Sequence, residues 1–180
     1  MTRRFVGIVV VGQTATVVDT EVPDDQKKPI TILSDTTWNL QNGDRAPALS
    51  VLHQRCADYI RENKVDLVVV KGSALPTGSA KLALLESAEV RGVVIAAAAS
   101  SSEVAILSKA VISRTFGDRK VDEYLKDDGF WKGQIDGGNL MERQRRRDAT
   151  IMTEAWVVEG GKPVLRSIPW NDPRAQQDRK

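Results

Sequence analysis

Two almost unbroken aliphatic runs, 5–11 (FVGIVVV) and 65–70 (VDLVVV), constrain the fold of this chain most. A strand with one wet face alternates apolar and polar residues. A run of consecutive β-branched residues is instead buried on both faces, at the centre of a sheet. Two such runs require a sheet with packed layers above and below it, which is an α/β architecture.

The rest of the chain supplies the neighbours. Gly12-Gln13 is a tight turn, and 14–19 (TATVVD) reads as a hairpin partner of the first run. Residues 22–28, with Pro23 and two aspartates, read as a loop, and 30–33 (ITIL) as a third strand. Asn42-Gly43-Asp44 is turn chemistry before a helix over 47–63, whose apolar residues Leu49, Leu52, Cys56, Tyr59 and Ile60 share one face. The second run follows as a fourth strand. A small-residue loop, 72–79, leads to a long helix over 80–99, and 104–107 is a fifth strand. Helical segments are expected at 108–116, 121–125 and 143–157, with a glycine-rich loop at 129–140 and a brief strand pairing at 164–168. Three consecutive strands imply an antiparallel meander, and the alternating units after them imply parallel strands beside it. The expectation is a five-stranded mixed sheet, three antiparallel strands then parallel ones, with helices on both faces. Residues 1–160 form this domain and 161–180 a polar tail.

At 180 residues the chain suits one domain. Its net charge of +2 makes it no polycation, so nucleic-acid binding requires a local patch. A single cysteine, Cys56, permits no internal disulfide and fits a reducing cytoplasm; its place on an apolar helical stripe reads as a buried structural thiol. The first run is too short and too β-branched for a signal peptide or a membrane span, so no membrane partner is expected.

The run Ser79-Ala80-Lys81-Leu82 through 88–98 (AEVRGVVIAAA) resembles the long central helix of RuvC-type Holliday junction resolvases, members of the RNase H-like superfamily. Residues 104–111 resemble their next strand and helix start, 5–8 their first strand, and Arg147-Asp148-Ala149 the start of their final helix. The chain is also similar to small bacterial RNase H-like proteins whose fourth strand ends in lysine. The resemblance covers about two-thirds of the chain. It implies the RNase H-like form of the sheet described above, a homodimer, and a nuclease site in which clustered carboxylates hold two divalent ions.

Those carboxylates are the point of departure. The resemblance sets an aspartate on the first strand, where this chain has Val9, and the first acid in the sequence is Asp19. It sets a glutamate at the end of the fourth strand, where this chain has Lys71. Of two acids on the last helix, one matches Asp148 and the other falls at Ile151. Magnesium demands hard oxygen ligands, and an ammonium repels it. No catalytic residue, metal site or cofactor is therefore expected. Asp148 reads equally as an ion partner for Lys71 and as a helix N-terminal acid stabilised by the macrodipole.

Other features carry weaker signals. Arg143, Arg145, Arg146 and Arg147, with Lys132 near, suit phosphate contacts as well as a solvated helix start. Lys71 and Lys81 bracket the loop 72–79, which suits an anion at a helix N-terminus but lacks the P-loop pattern and reads rather as structural. His53 is the sole histidine, which disfavours zinc. Glu86 and Glu89 read as a solvated helix face or as partners of Arg91, and only weakly as an acid–base pair. Phe130, Trp131 and Trp170 suit either a partner contact or packing over a sheet edge. The functional expectation is a RuvC-like domain that no longer cuts and binds a protein or nucleic acid. The alternative is an active magnesium- or manganese-dependent nuclease using displaced acids such as Asp19, Glu86 and Asp148.

Overall fold

The computed structural model describes residues 2–24, 28–72 and 82–108, together with 123, 127, 135–136, 157–159 and 162–164. Strands β1 (Thr2–Val11), β2 (Thr14–Pro23) and β3 (Ile30–Asn39) come first, then helix α1 (Arg45–Glu62), strand β4 (Leu67–Lys71), helix α2 (Leu82–Ala99) and strand β5 (Glu103–Leu107). The short strands β6 (Ile135–Asp136), β7 (Val157–Glu159) and β8 (Lys162–Val164) follow. The main sheet runs β5-β4-β1-β2-β3-β6, so both aliphatic runs lie side by side at its centre, as their composition requires. β1–β2 and β2–β3 are antiparallel, while β1–β4 and β4–β5 are parallel. The meander-then-parallel sheet expected from the sequence is thus present.

Several boundaries differ from the sequence expectation for identifiable reasons. β2 continues through Val22 and Pro23, because Thr2↔Pro23 and Arg3↔Val22 extend the ladder that the polar composition hides. β3 runs on through Ser34, Asp35, Thr36 and Thr37 to Asn39, held by pairing with β2 past an irregularity at Asp19/Thr20. Pairing of this kind overrides weak strand propensity. α1 starts two residues early because Asp44 is an extended N-cap whose side chain accepts from the Ala46 amide. β4 starts late because Val65 closes α1. Its amide donates to Ile60 O at 3.1 Å and that of Lys64 to Arg61 O at 3.2 Å, with Lys64 in the left-handed region at φ 51°. That is the Schellman pattern, with Val65 and Ile60 both buried. Ile135–Asp136 pairs with Ile30–Thr31 inside the segment read as loop. Val157, read as a helix end, is the first residue of the β7–β8 hairpin and pairs with Val164.

The hairpin between β1 and β2 turns on Gly12 (φ 60°) and Gln13. A positive φ at the first central residue alone is the type II′ pattern, whose twist matches the flanking strands.

Alternation divides the central strands into two faces. Val6, Ile8, Val10, Ala15, Val17, Val68 and Val70 form one core with Leu52, Cys56 and Ile60 of α1 and Val90, Val94 and Ala97 of α2. Both described helices therefore pack on this face. The opposite face carries Phe5, Val9, Val18, Leu67, Val69 and Leu107, all at 3% exposure or less, so it too is covered. The helices expected at 108–116, 121–125 and 143–157 lie outside the described residues, apart from Ser108, which is not helical, Glu123, which is helical, and Val157.

Candidate functional site

In a sheet of parallel strands, ligands bind outside the carboxyl ends of the strands, where the order of connection reverses. Here β1 and β4 are the central parallel pair, in the register Phe5↔Leu67 through Ile8↔Val70. Carried one residue on, that register sets Lys71 beside Val9, on the face opposite α1 and α2. Val9 is 3% exposed and Lys71 half-buried, so a neutral side chain and a lysine stand together at the strand ends. The backbone leaves β4 along a fixed path. Gly72 N donates to Leu107 O at 2.8 Å, and a Cβ on Gly72 would meet Ile106 Cγ2 and Leu107 O at 3.4 Å.

This pair does not suit a divalent ion. Valine offers no ligand atom, and an ammonium offers three donors and no acceptor. Among the described residues no three His, Cys, Asp or Glu side chains gather into a group that could hold a metal.

Of the acids proposed as displaced ligands, Asp19 is engaged elsewhere. Asp19 is fully buried on β2, opposite Val6 and therefore on the helix-covered face. Its Oδ1 accepts from Arg4 Nε at 3.0 Å, and its Oδ2 accepts from Arg4 Nη2 at 2.6 Å and from the Tyr59 hydroxyl at 2.7 Å. Arg4 Nη2 also donates to Asn63 Oδ1 at 2.9 Å, and the Asn63 amide donates to Tyr59 O at 2.8 Å. Asp66 closes the cluster, accepting from the Arg4 amide at 2.7 Å. The hydrogen bond to Asp19 raises the Arg4 pKa, and burial raises that of Tyr59. This cluster ties β1 and β2 to the C-terminal turns of α1. Asp19 is a structural anchor, facing away from Val9 and Lys71.

Glu89 pairs with Arg45 Nε at 2.6 Å, and Arg45 Nη2 donates to Glu86 O at 3.3 Å. Glu89 is thus tied to α1. Arg91 reaches the sheet, with its Nη2 3.3 Å from Val10 O and 3.5 Å from Ser87 Oγ. Burial lowers its pKa. His53 is half-buried on α1. Cys56 is buried as expected, with its thiol pushed up to about 12 by burial. Asp148, Ile151, Lys81, the arginines 143 and 145–147, and the aromatics Phe130, Trp131 and Trp170 lie outside the described residues. The Lys71–Asp148 pairing therefore lies outside them too.

The sequence reading missed the Arg4–Asp19–Tyr59 cluster. Its one visible signal was opposite charge on the two arms of a tight hairpin. The contact of Arg91 with the Val10 carbonyl was missed as well.

No family model matches the chain, and no curated protein matches it. Solved structures do. Thermus thermophilus RuvC is similar with a TM-score of 0.64 at 12% identity, over 83% of this chain and 90% of that one. The same enzyme in complex with a Holliday junction substrate gives 0.60 at 12% identity, over 83% and 89%. The yeast mitochondrial Holliday junction resolvase gives 0.55 at 12%, over 83% and 75%. No helix among the described residues is long and apolar enough to cross a membrane. With its meander, its parallel strands and these likenesses, the chain has the RuvC-like, RNase H-like fold.

Proposed function

We propose that this chain is a RuvC-like domain that binds branched nucleic acid without cutting it. The observation that carries this reading is Val9 beside Lys71 at the ends of the central parallel strands, where such a nuclease requires carboxylates. Asp19, the first acid in the sequence, is committed to Arg4 and Tyr59 on the other face. That leaves the displaced-acid nuclease without one of its proposed ligands. Nucleic acid is favoured over protein because one of the similar structures is described as a complex with a Holliday junction, and because a lysine replaces an acid at the cleft. The four arginines at 143–147 supply further phosphate contacts. A second copy of the chain is the natural companion for a junction with paired arms.

The test offers a four-way DNA junction, an RNA junction and plain duplex to the full chain, with magnesium or manganese in excess. The expected result is retention of the junction in a gel without strand cleavage. Metal-dependent cleavage that disappears in Asp148→Asn would establish the nuclease reading instead. Failure to bind any of the three would leave a protein as the partner.

A further inference from the structure

We infer that the outer face of α2 is where a second copy of this chain packs, helix against helix and antiparallel, about a two-fold axis at Gly92. The homodimer implied by the resemblance has no face assigned to it, and this assignment does not depend on nucleic-acid binding. The two helices that pack on one face of the sheet have 18 residues each, and they differ sharply on the outside. α1 meets solvent with Gln54, Arg55, Arg61 and Glu62. Among the exposed residues of α2, Glu89 is the one charge, and Arg45 pairs with it. Leu82 and Leu85 are 72% and 54% exposed. A helix that is apolar on every side belongs in an interior, so this face is suited to being covered.

Gly92 stands in the middle of it. Glycine weakens a helix interior relative to alanine. A Cβ at Gly92 would meet nothing within 4 Å, so among the described residues no packing requires its absence. What a glycine there supplies is room for another backbone to come close.

The pattern of the face names the occupant. Leu85, Ala88, Gly92, Ala96 and Ala99 are all exposed, and they are spaced 3, 4, 4 and 3 residues apart, along one side of a helix. That spacing reads the same in both directions from Gly92. A second α2 laid antiparallel across it therefore matches the row to itself. Ala88 faces Ala96 of the second copy, and Leu85 lies over Ala99 of the second copy, a large side chain on a small one at both ends. Such a two-fold contact uses one patch twice. The face is nearly free of charge, so two identical copies meet without repulsion, and antiparallel helices oppose their dipoles favourably. A single helix pair buries less than the standard interface of about 1,600 Å², so the dimer is expected to be of micromolar rather than nanomolar strength.

Sedimentation equilibrium of the full chain, from about 1 to about 500 μM, tests this. Wild type is expected to show a monomer–dimer equilibrium. Gly92→Leu sets a side chain at the crossing point and should raise the dissociation constant about tenfold or more. Leucine is the better helix former, so the melting temperature of the monomer should not fall, which separates loss of the dimer from loss of the fold. Leu85→Glu should also dissociate the dimer. Val51→Glu makes the same change at a residue 45% exposed on α1 and should leave it intact. Cys56 is buried, so introduced cysteines report on the interface alone. Ala88→Cys mixed with Ala96→Cys should oxidise to a cross-linked dimer, and neither variant should do so by itself. A monomer at every concentration would overturn the inference. So would a dimer that Gly92→Leu and Leu85→Glu leave unchanged, or cross-linking of Ala88→Cys with itself.

Discussion

Asp19→Ala is expected to lower the unfolding free energy by about 3 kcal/mol, the lower end of the range for breaking a buried ion pair. Asp19 is fully buried, whereas the Arg4 side chain keeps 29% of its exposure and can turn partly to water when its partner goes. That relief sets the estimate at the low end. Among the described residues the Tyr59 hydroxyl is left with Ser34 Oγ, at 3.4 Å, and that long contact does not replace an acceptor at 2.7 Å. Asp19→Asn keeps the volume and an acceptor oxygen, so its loss should be clearly smaller. A cycle with Tyr59→Phe should show a coupling of about 0.5–3 kcal/mol, because both residues belong to one network. Urea denaturation of the four proteins supplies the numbers. Since Asp19 faces away from Lys71, junction affinity of the folded fraction should not change. A loss of junction binding by well-folded Asp19→Asn would tie Asp19 to the site after all.

Trp38→Ala is expected to cost about 3–5 kcal/mol, the range for deleting a large buried aromatic. Trp38 is 2% exposed on β3, in contact with the core that α1 shares with the sheet. Its ring meets Tyr59 edge-on, with centroids 5.4 Å apart and planes at 70°. The Arg55 guanidinium lies 5.2 Å from the Trp38 centroid. The indole thus joins the outer part of the meander to the helix that also anchors Asp19. Trp38→Phe retains an aromatic ring against Tyr59 and should lose clearly less. Tryptophan fluorescence follows the other three tryptophans, so far-ultraviolet circular dichroism in urea is the cleaner probe.

How much of this was legible follows from where each feature gets its stability. The aliphatic runs carry their burial in their composition, so β1 and β4 were readable, whereas the joint place of Val9 and Lys71 came from the resemblance to RuvC-type resolvases. The second half of β3 was not. Ser34, Asp35, Thr36 and Thr37 look like a loop until β2 pairs with them. The start of α1 was marked by Asp44, a cap whose short side chain competes for backbone amides, yet it read only as a turn. The use of Asp19 was hidden for a different reason. Its partners stand 15 and 40 residues away, and only the hairpin register together with the last turns of α1 brings Arg4 and Tyr59 to it. The same holds for Glu89, whose partner on α1 is 44 residues distant while Arg91 stands two residues off in sequence. Long-range polar pairing leaves no periodic trace.

Manganese binding by the full chain, followed by electron paramagnetic resonance, tests the proposal that this domain holds no metal centre most directly. A site built on valine and lysine should leave the manganese spectrum that of the free hexaaqua ion, in wild type and in Asp148→Asn alike. A saturable bound signal in wild type that Asp148→Asn abolishes would contradict it, and would restore this domain to the nucleases whose fold it has.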